Sequence, residues 1–348
     1  MSFAFYLSEQ LNIYPDMGPQ DVFKLCFQGA RGAEHLLRDT LAAKCYFDAE
    51  WEGTKAKDAP LFEEISDGFC RVDLGAWKAR SLPGDWLFRL FAKTASTPVA
   101  GDPLAEYLAA ADEWVRTAPV EFTVEAWETA LAEYRAAGTP AVHHSDGYRE
   151  TYRPAYRVIS RRLTRLFPIL EAISEKMSAV TPLTVAIDGR AASGKTTLAK
   201  DLSAVLNAAV IHMDDFFLPP DLRTGERLAE VGGNVHYERF CREVLPRLAE
   251  PGAFSYRVFD CGRMDFGGER AVSDAPLRIV EGSYAHHPAF GDYAHVKVFS
   301  TVDAEEQMAR ILRRNGAALA ERFRTEWIPK EETYFRTREI EKSAHLCV

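Results

Sequence analysis

Hydrophobic positions follow two different patterns along this chain. From about residue 183, short apolar runs alternate with helical stretches, which predicts a parallel sheet wrapped by helices. LTVAID (183–188), AAVIHM (208–213), FSYRVF (254–259), LRIVEG (277–282) and HVKVFS (295–300) are the predicted strands. Their β-branched, nearly continuous apolar character suits strands buried on both faces.

Before residue 180 the pattern is helical. Asp102 followed by Pro103 opens a run to about Arg116, and Gly138 with Pro140 closes a run begun near Thr123. FKLCFQGARGAEHLLRDTLAAKCYF (23–47) predicts further helix, and only FCRVDL (69–74) suggests a strand. From Pro154 to Met177, Ala155, Val158, Ile159, Leu163, Leu166, Leu170, Ile173 and Met177 fall on one helical face, with Pro168 kinking or splitting it. Arg153, Arg157 and Arg161 recur beside Tyr148, Tyr152 and Tyr156. If helical, this is a cationic strip, read as a solvated face or a seam in preference to an anion site. His143 and His144 read as ordinary loop residues. The change of pattern near Ser178 to Pro182 divides the chain into a mainly α-helical domain of unassigned role (1–180) and an α/β domain (181–348).

Composition narrows the class without deciding it. At 348 residues with 47% hydrophobic and 27% charged residues, two domains with real cores are expected. A formal net charge of −9 argues against nucleic acid or anionic membrane as partner. The N-terminal text lacks a basic segment leading into a long apolar run, so a cytoplasmic protein is expected. The six cysteines form no CxxC pair and read as free thiols.

The strongest chemistry follows LTVAID directly. Gly189 to Thr197 reads GRAASGKTT and leads into the helical text LAKDLSAVL, which fits G-x-x-x-x-G-K-[ST] in its strand, loop and helix setting. The backbone of Gly189, Ala191, Ala192, Ser193, Gly194, Lys195, Thr196 and Thr197 would cradle phosphates. Lys195 would reach the β- and γ-phosphates, and Thr196 would bind Mg²⁺. No N-K-x-D for guanine and no L-S-G-G-Q of transporter ATPases follows.

IHMDDFFLPP (211–220) then places Asp214 at the carboxyl end of the second predicted strand, where open α/β sheets bind ligands. A carboxylate there can take the proton of a hydroxyl attacking the γ-phosphate. Phe216, Phe217 and Leu218 offer an apolar wall for the acceptor, and Asp215 reads equally as a substrate contact or a turn residue.

IDGRAASGKTT followed by VIHMDDFF resembles the uridine kinase, nicotinamide riboside kinase and phosphoribulokinase group of P-loop kinases, over residues 183 to 348. The resemblance implies a P-loop sheet flanked by helices, ATP and Mg²⁺ as cofactors, Asp214 as catalytic base, and Glu281 in LRIVEGSY positioning Mg²⁺ and substrate. It implies an arginine lid within QMARILRRNGAALAERFR (307–324), with Arg310 and Arg314 as its catalytic residues and Arg313 next. The terminal AHLCV matches the group's last strand, so the chain is expected to stop where the fold does. The stretch GGNVHYERF (232–240) lacks the group's ribose-binding aspartate, leaving Asn234, His236 or Glu238 to serve. YRVFD (256–260) leads into CGRMDFGGER, which has no pyrimidine-reading histidine; Arg263 or Asp265 could read another polar substrate. Asp215, Phe217, His236 and Arg263 are the candidate substrate residues. His286 and His287 could line the pocket or touch phosphate, but as a loop histidine pair they are expected first to face solvent.

The expectation is an ATP-dependent phosphotransferase acting on a hydroxyl of a small metabolite, a nucleoside first and a sugar, vitamin or other polyol as alternative. Expected partners are that substrate, with neither nucleic acid nor membrane, and self-association stays open. The rival of another class is an ATP-sensing interaction protein with little turnover, for which an intact Asp214 and arginine lid would serve no purpose.

Overall fold

The computed structural model describes residues 1–33, 37, 39–99 and 101–348. Two compact units divide the chain, Met1–Thr164 and Arg165–Val348. No described helix is long and apolar enough to cross a membrane.

In the first unit, among the described residues, eight α-helices between Phe3 and Tyr152 accompany a three-stranded antiparallel sheet. Its strands are β1 (Phe62–Glu64), β2 (Phe69–Asp73) and β3 (Tyr156–Ser160), in the order β1-β2-β3. Both predicted runs are helices: Thr123 Oγ1 accepts from the Ala126 amide at the start of helix Val124–Ala136, while helix Leu104–Val115 has Pro103 rather than Asp102 at its N-cap, with Asp102 accepting from the Leu104 amide at 3.3 Å. In the stretch 23–47, helices Pro19–Arg31 and Thr40–Gly53 are present, while residues 34–36 and 38 lie outside the described residues.

The helix expected from Pro154 to Met177 is corrected. Tyr156–Ser160 is β3, paired in register with β2 (Val72 opposite Arg157), followed by a 3₁₀ segment Arg161–Leu166 and a helix Phe167–Met177. Val158 and Ile159 are β-branched, and the edge of FCRVD supplied a partner that local periodicity could not reveal. Pro168 opens the last helix, where its missing N–H costs nothing. The cationic strip therefore does not form. Arg157 pairs with Glu50 at 2.5 Å and Arg161 with Glu64 at 2.8 Å.

The second unit is built on a five-stranded parallel sheet. Its strands are β4 (Leu183–Gly189), β5 (Ala209–His212), β8 (Leu277–Glu281), β9 (Val296–Ser300) and β10 (Leu346–Cys347), ordered β10-β9-β4-β8-β5. β4 is central and buried along its whole length, as its nearly continuous apolar text leads one to expect. The helix Lys195–Leu206 buries Leu198, Ala199, Leu202 and Val205, whose spacing makes one continuous apolar face. Full burial of such a leucine or valine stabilises the fold by about 1.5–3 kcal/mol.

FSYRVF is a strand, but not of this sheet. It forms β6 (Phe254–Asp260), hydrogen-bonded to β7 (Asp265–Val272) in a separate antiparallel pair. Ser255 and Arg257 point outward while Tyr256 and Phe259 are buried, the alternation of a strand with one wet face. CGRMD supplies the turn between them.

Candidate active site

Three strands of the parallel sheet end together and carry the chemistry at their carboxyl ends. β4 delivers the loop Gly189 to Gly194, β5 ends at His212 just before Asp214, and β8 ends at Glu281. These are neighbouring strands, since β8 lies between β4 and β5.

The loop must begin with glycine. Gly189 has φ +140°, and a Cβ there would lie 1.9 Å from the Ser300 carbonyl oxygen on β9. Ala192 and Gly194 also take positive φ, curling the backbone before the helix Lys195–Leu206 so that its amino end faces the loop. Lys195 is buried and donates to the Gly189 and Arg190 carbonyls at 2.7 and 2.9 Å. The Ser193 hydroxyl is buried without a partner among the described residues. Thr196 and Thr197 are exposed at the first turn. A loop with an orphaned hydroxyl, a lysine and a helix amino end fits the phosphates of a nucleotide.

Behind the loop, Asp188 is fully buried and accepts four hydrogen bonds, from the amides of Gly189 (2.7 Å), Tyr284 (3.1 Å) and His286 (2.9 Å) and from the Tyr334 hydroxyl (3.0 Å). It ties the start of the phosphate loop to the segment after β8. Glu331 makes a second tie, accepting from the Ala191 amide at 3.0 Å and the Ser283 hydroxyl at 2.7 Å. Burial raises its pKa, with Lys195 opposing. Neither residue stood out in the sequence: Asp188 was part of the strand text, and Glu331 one of many helix carboxylates.

Glu281 accepts from Thr196 Oγ1 at 3.2 and 3.3 Å and lies 2.5 Å from His212 Nδ1. The pair expected to position Mg²⁺ is thus brought together, with His212 as an added partner. Among the described residues no group of three or more His, Cys, Asp or Glu could hold a metal ion by itself. Mg²⁺ keeps several waters and uses only one or two carboxylates, a demand that Glu281 beside Thr196 could meet.

Asp214 is exposed just past the end of β5, yet protein crowds it on its other sides. That burial raises its pKa, with the Glu281 and Asp215 carboxylates adding to the rise and Lys195 and His212 opposing it. A carboxylate in such surroundings holds a proton more firmly than an ordinary aspartate, a property that would suit proton abstraction. The backbones carrying Asp214 and Glu281 touch: Gly282 has φ +132°, and a Cβ there would lie 2.8 Å from Met213 Cβ.

Asp215 is turned inward. Tyr256 donates to it at 2.8 Å and Arg270 Nε at 2.7 Å, so this carboxylate joins both strands of the β6-β7 hairpin to the base segment. Arg239, fully buried, donates to the carbonyls of Asp215 and Arg257 and lies 4.2 Å from the Phe216 ring centroid. Burial lowers its pKa to about 10.

Phe217 is half-buried and bridges to Val235. The neighbouring His236 amide donates to the Phe216 carbonyl at 2.6 Å, which fixes this edge of the cleft. His236 Nδ1 is buried without a partner among the described residues, and burial lowers the ring's pKa. Arg263 is exposed in the hairpin turn, its amide donating to Asp260. Burial raises the pKa of the adjacent Cys261, with the Asp214 carboxylate adding to the rise.

The lid arginines divide. Arg310 donates to the Ala192 carbonyl at 3.2 Å and pairs with Glu306, placing it on the phosphate loop. Arg314 is exposed and donates to Asn315, and Arg313 is exposed. Their helix, Ala304–Arg322, is broken at Gly316, where φ is +76°. His286 and His287, expected to face solvent, are buried instead. His286 Nε2 lies 3.2 Å from the Ala186 carbonyl, and His287 stacks on Tyr237 at 4.9 Å.

Strand, phosphate loop, helix and parallel sheet together define a P-loop fold in the second unit. No family model matches the sequence. Among solved structures, the chain is similar to a possible uridine kinase from Bacillus stearothermophilus, with 20% identity and a TM-score of 0.38, covering 52% of this chain and 98% of that one. It is also similar to a candidate fructose transport system kinase from Silicibacter sp., with 24% identity and a TM-score of 0.43, covering 53% of this chain and 98% of that one.

Proposed function

We propose that the second unit is an ATP-dependent phosphotransferase whose acceptor is a hydroxyl of a small metabolite, a nucleoside first. The observation that carries this reading is the convergence of Lys195 and Thr196, Asp214 and Glu281 at the ends of three adjacent strands. Asp214 takes the acceptor proton as the acceptor oxygen bonds to the γ-phosphorus and the bond to the β-γ bridging oxygen breaks. Lys195, the loop amides and Arg310 hold the phosphate oxygens and offset charge as it moves to the leaving nucleotide. Mg²⁺, when bound through Thr196 and Glu281, neutralises phosphate charge. The Phe217 and His236 edge and the hairpin tip with Arg263 bound the space left for the acceptor.

The test is mass spectrometry of pooled nucleosides, sugars and vitamins incubated with the protein, ATP and Mg²⁺. One compound gaining a phosphoryl group, lost in Lys195→Ala, supports the reading and names the acceptor. Saturable ATP binding with no phosphorylated product from any pool would favour the ATP-sensing alternative.

A further inference from the structure

The first unit contains a cavity of about 530 Å³, lined only by its own residues, between Met1 and Tyr156. This lies within the range of small-molecule sites, about 300–1,000 Å³. Nothing in the phosphotransfer reading uses it.

Its floor is a buried polar network. Arg71, 2% exposed, donates to Gln10 Oε1 (2.7 Å), Glu63 Oε1 (2.8 Å) and Gln28 Oε1 (3.0 and 3.2 Å). Its guanidinium also lies 4.6 Å from the Tyr156 ring centroid. Glu63 further accepts from Tyr14 (2.6 Å) and from Gln10 Nε2 (2.8 Å). Behind Tyr156, the hydroxyl lies 2.7 Å from His144 Nε2, and His144 Nδ1 lies 3.0 Å from Asp21. A buried charged network is no more stabilising than apolar residues of the same volume, so cohesion of the unit alone does not call for it. It does hold donors and acceptors rigidly at the base of a cavity.

The lining also restricts the charge of the occupant. Arg71 is matched by Glu63, Lys57 by Asp73 at 2.6 Å, and the Met1 amine by Asp67 at 3.3 Å. The lining carries four carboxylates, of Glu9, Glu63, Glu64 and Asp73, against the side-chain cations of Lys57, Arg71 and Arg153. No surplus positive charge is available for a phosphate. The walls are rich in aromatic rings, including Tyr14, Phe62 and Tyr152, which favour a flat partner.

We infer that this cavity binds an uncharged planar heterocycle with adjoining N–H donors and carbonyl acceptors, the nucleobase class. Glu63 Oε2, which among the described residues accepts only from Tyr14, takes one ligand N–H, while the second Gln10 Nε2 hydrogen and the Tyr14 oxygen meet a ligand carbonyl and a further N–H.

The experiment titrates adenine, cytosine, uracil and nicotinamide into the full chain by calorimetry, with inorganic phosphate as the charged control. Amide hydrogen exchange locates any binding. The expected result is a Kd of about 1 mM or tighter for at least one base, with protection at residues 61–64 and 152–156. Ala59→Trp, at the cavity lining, should weaken this at least about tenfold while leaving Lys195-dependent ATP binding unchanged. If that variant melts early, Tyr14→Phe replaces it, with a smaller loss expected. No binding by any base, tighter binding of phosphate, protection confined to residues 189–197, or affinity unchanged in both variants would each overturn the inference. These outcomes do not depend on whether the second unit transfers phosphate.

Discussion

His212 Nδ1 and Glu281 Oε1 lie 2.5 Å apart, linking the ends of β5 and β8. Glu281 also accepts from Thr196, so its orientation is set from both sides. Residues that orient a metal-facing carboxylate usually affect metal affinity about 10–100-fold. Under the phosphotransfer reading, His212→Ala should raise the half-saturating Mg²⁺ concentration by about tenfold or more. His212→Gln should recover part of that loss. Initial rates measured across a Mg²⁺ titration check this; an unchanged midpoint in both variants would remove His212 from the site.

Asp214→Asn should spare ATP binding and lower kcat by roughly 10²–10⁴-fold. Under the phosphotransfer reading Asp214 works deprotonated, and its pKa is raised by burial and by Glu281. The kcat/KM of the wild type should therefore fall with acidification at a pH above the ordinary aspartate range. That acid limb should be missing from the residual activity of Asp214→Asn. A pH series of initial rates reads both effects.

Gly189→Ala should destabilise the second unit by about 3 kcal/mol or more, because the methyl group meets the Ser300 carbonyl and φ of +140° is strained for any L side chain. Equilibrium denaturation with urea measures the loss. Nucleotide binding should disappear in the same variant.

His144 and His287 should titrate at about 4, well below their ordinary 6.5, because burial disfavours the charged rings. Between those values the unfolded chain holds more protons than the folded one. The stability contributed by each neutral ring is therefore complete above about 6.5 and lost as the pH falls towards 4. Among the acid-shifted ring resonances in a histidine NMR titration, one with a midpoint of about 4 should be removed by His144→Gln and another by His287→Gln.

The sheet and phosphate loop were legible because β4 is nearly continuously apolar up to Asp188 and GRAASGKTT sits directly between strand and helix. Local text could not supply pairing partners. Tyr156–Ser160 has a helical period yet is a strand because FCRVD lies beside it, and FSYRVF pairs with a turn-linked neighbour that read as loop. His212 and Asp188 were missed for a similar reason. Each takes its role from contacts 69 and up to 146 residues away along the chain, a separation that spacing rules do not reach.

Gly282 lets the backbone after Glu281 rest against Met213, the residue before Asp214. The two carboxylates are consequently mounted on a shared rigid bracket, main chain against side-chain root, with no long side chain to flex between them. Under the phosphotransfer reading, laboratory evolution toward a bulkier acceptor would find little freedom in their spacing and would have to change the residues proposed to bound the acceptor, Phe217, His236 and the turn bearing Arg263.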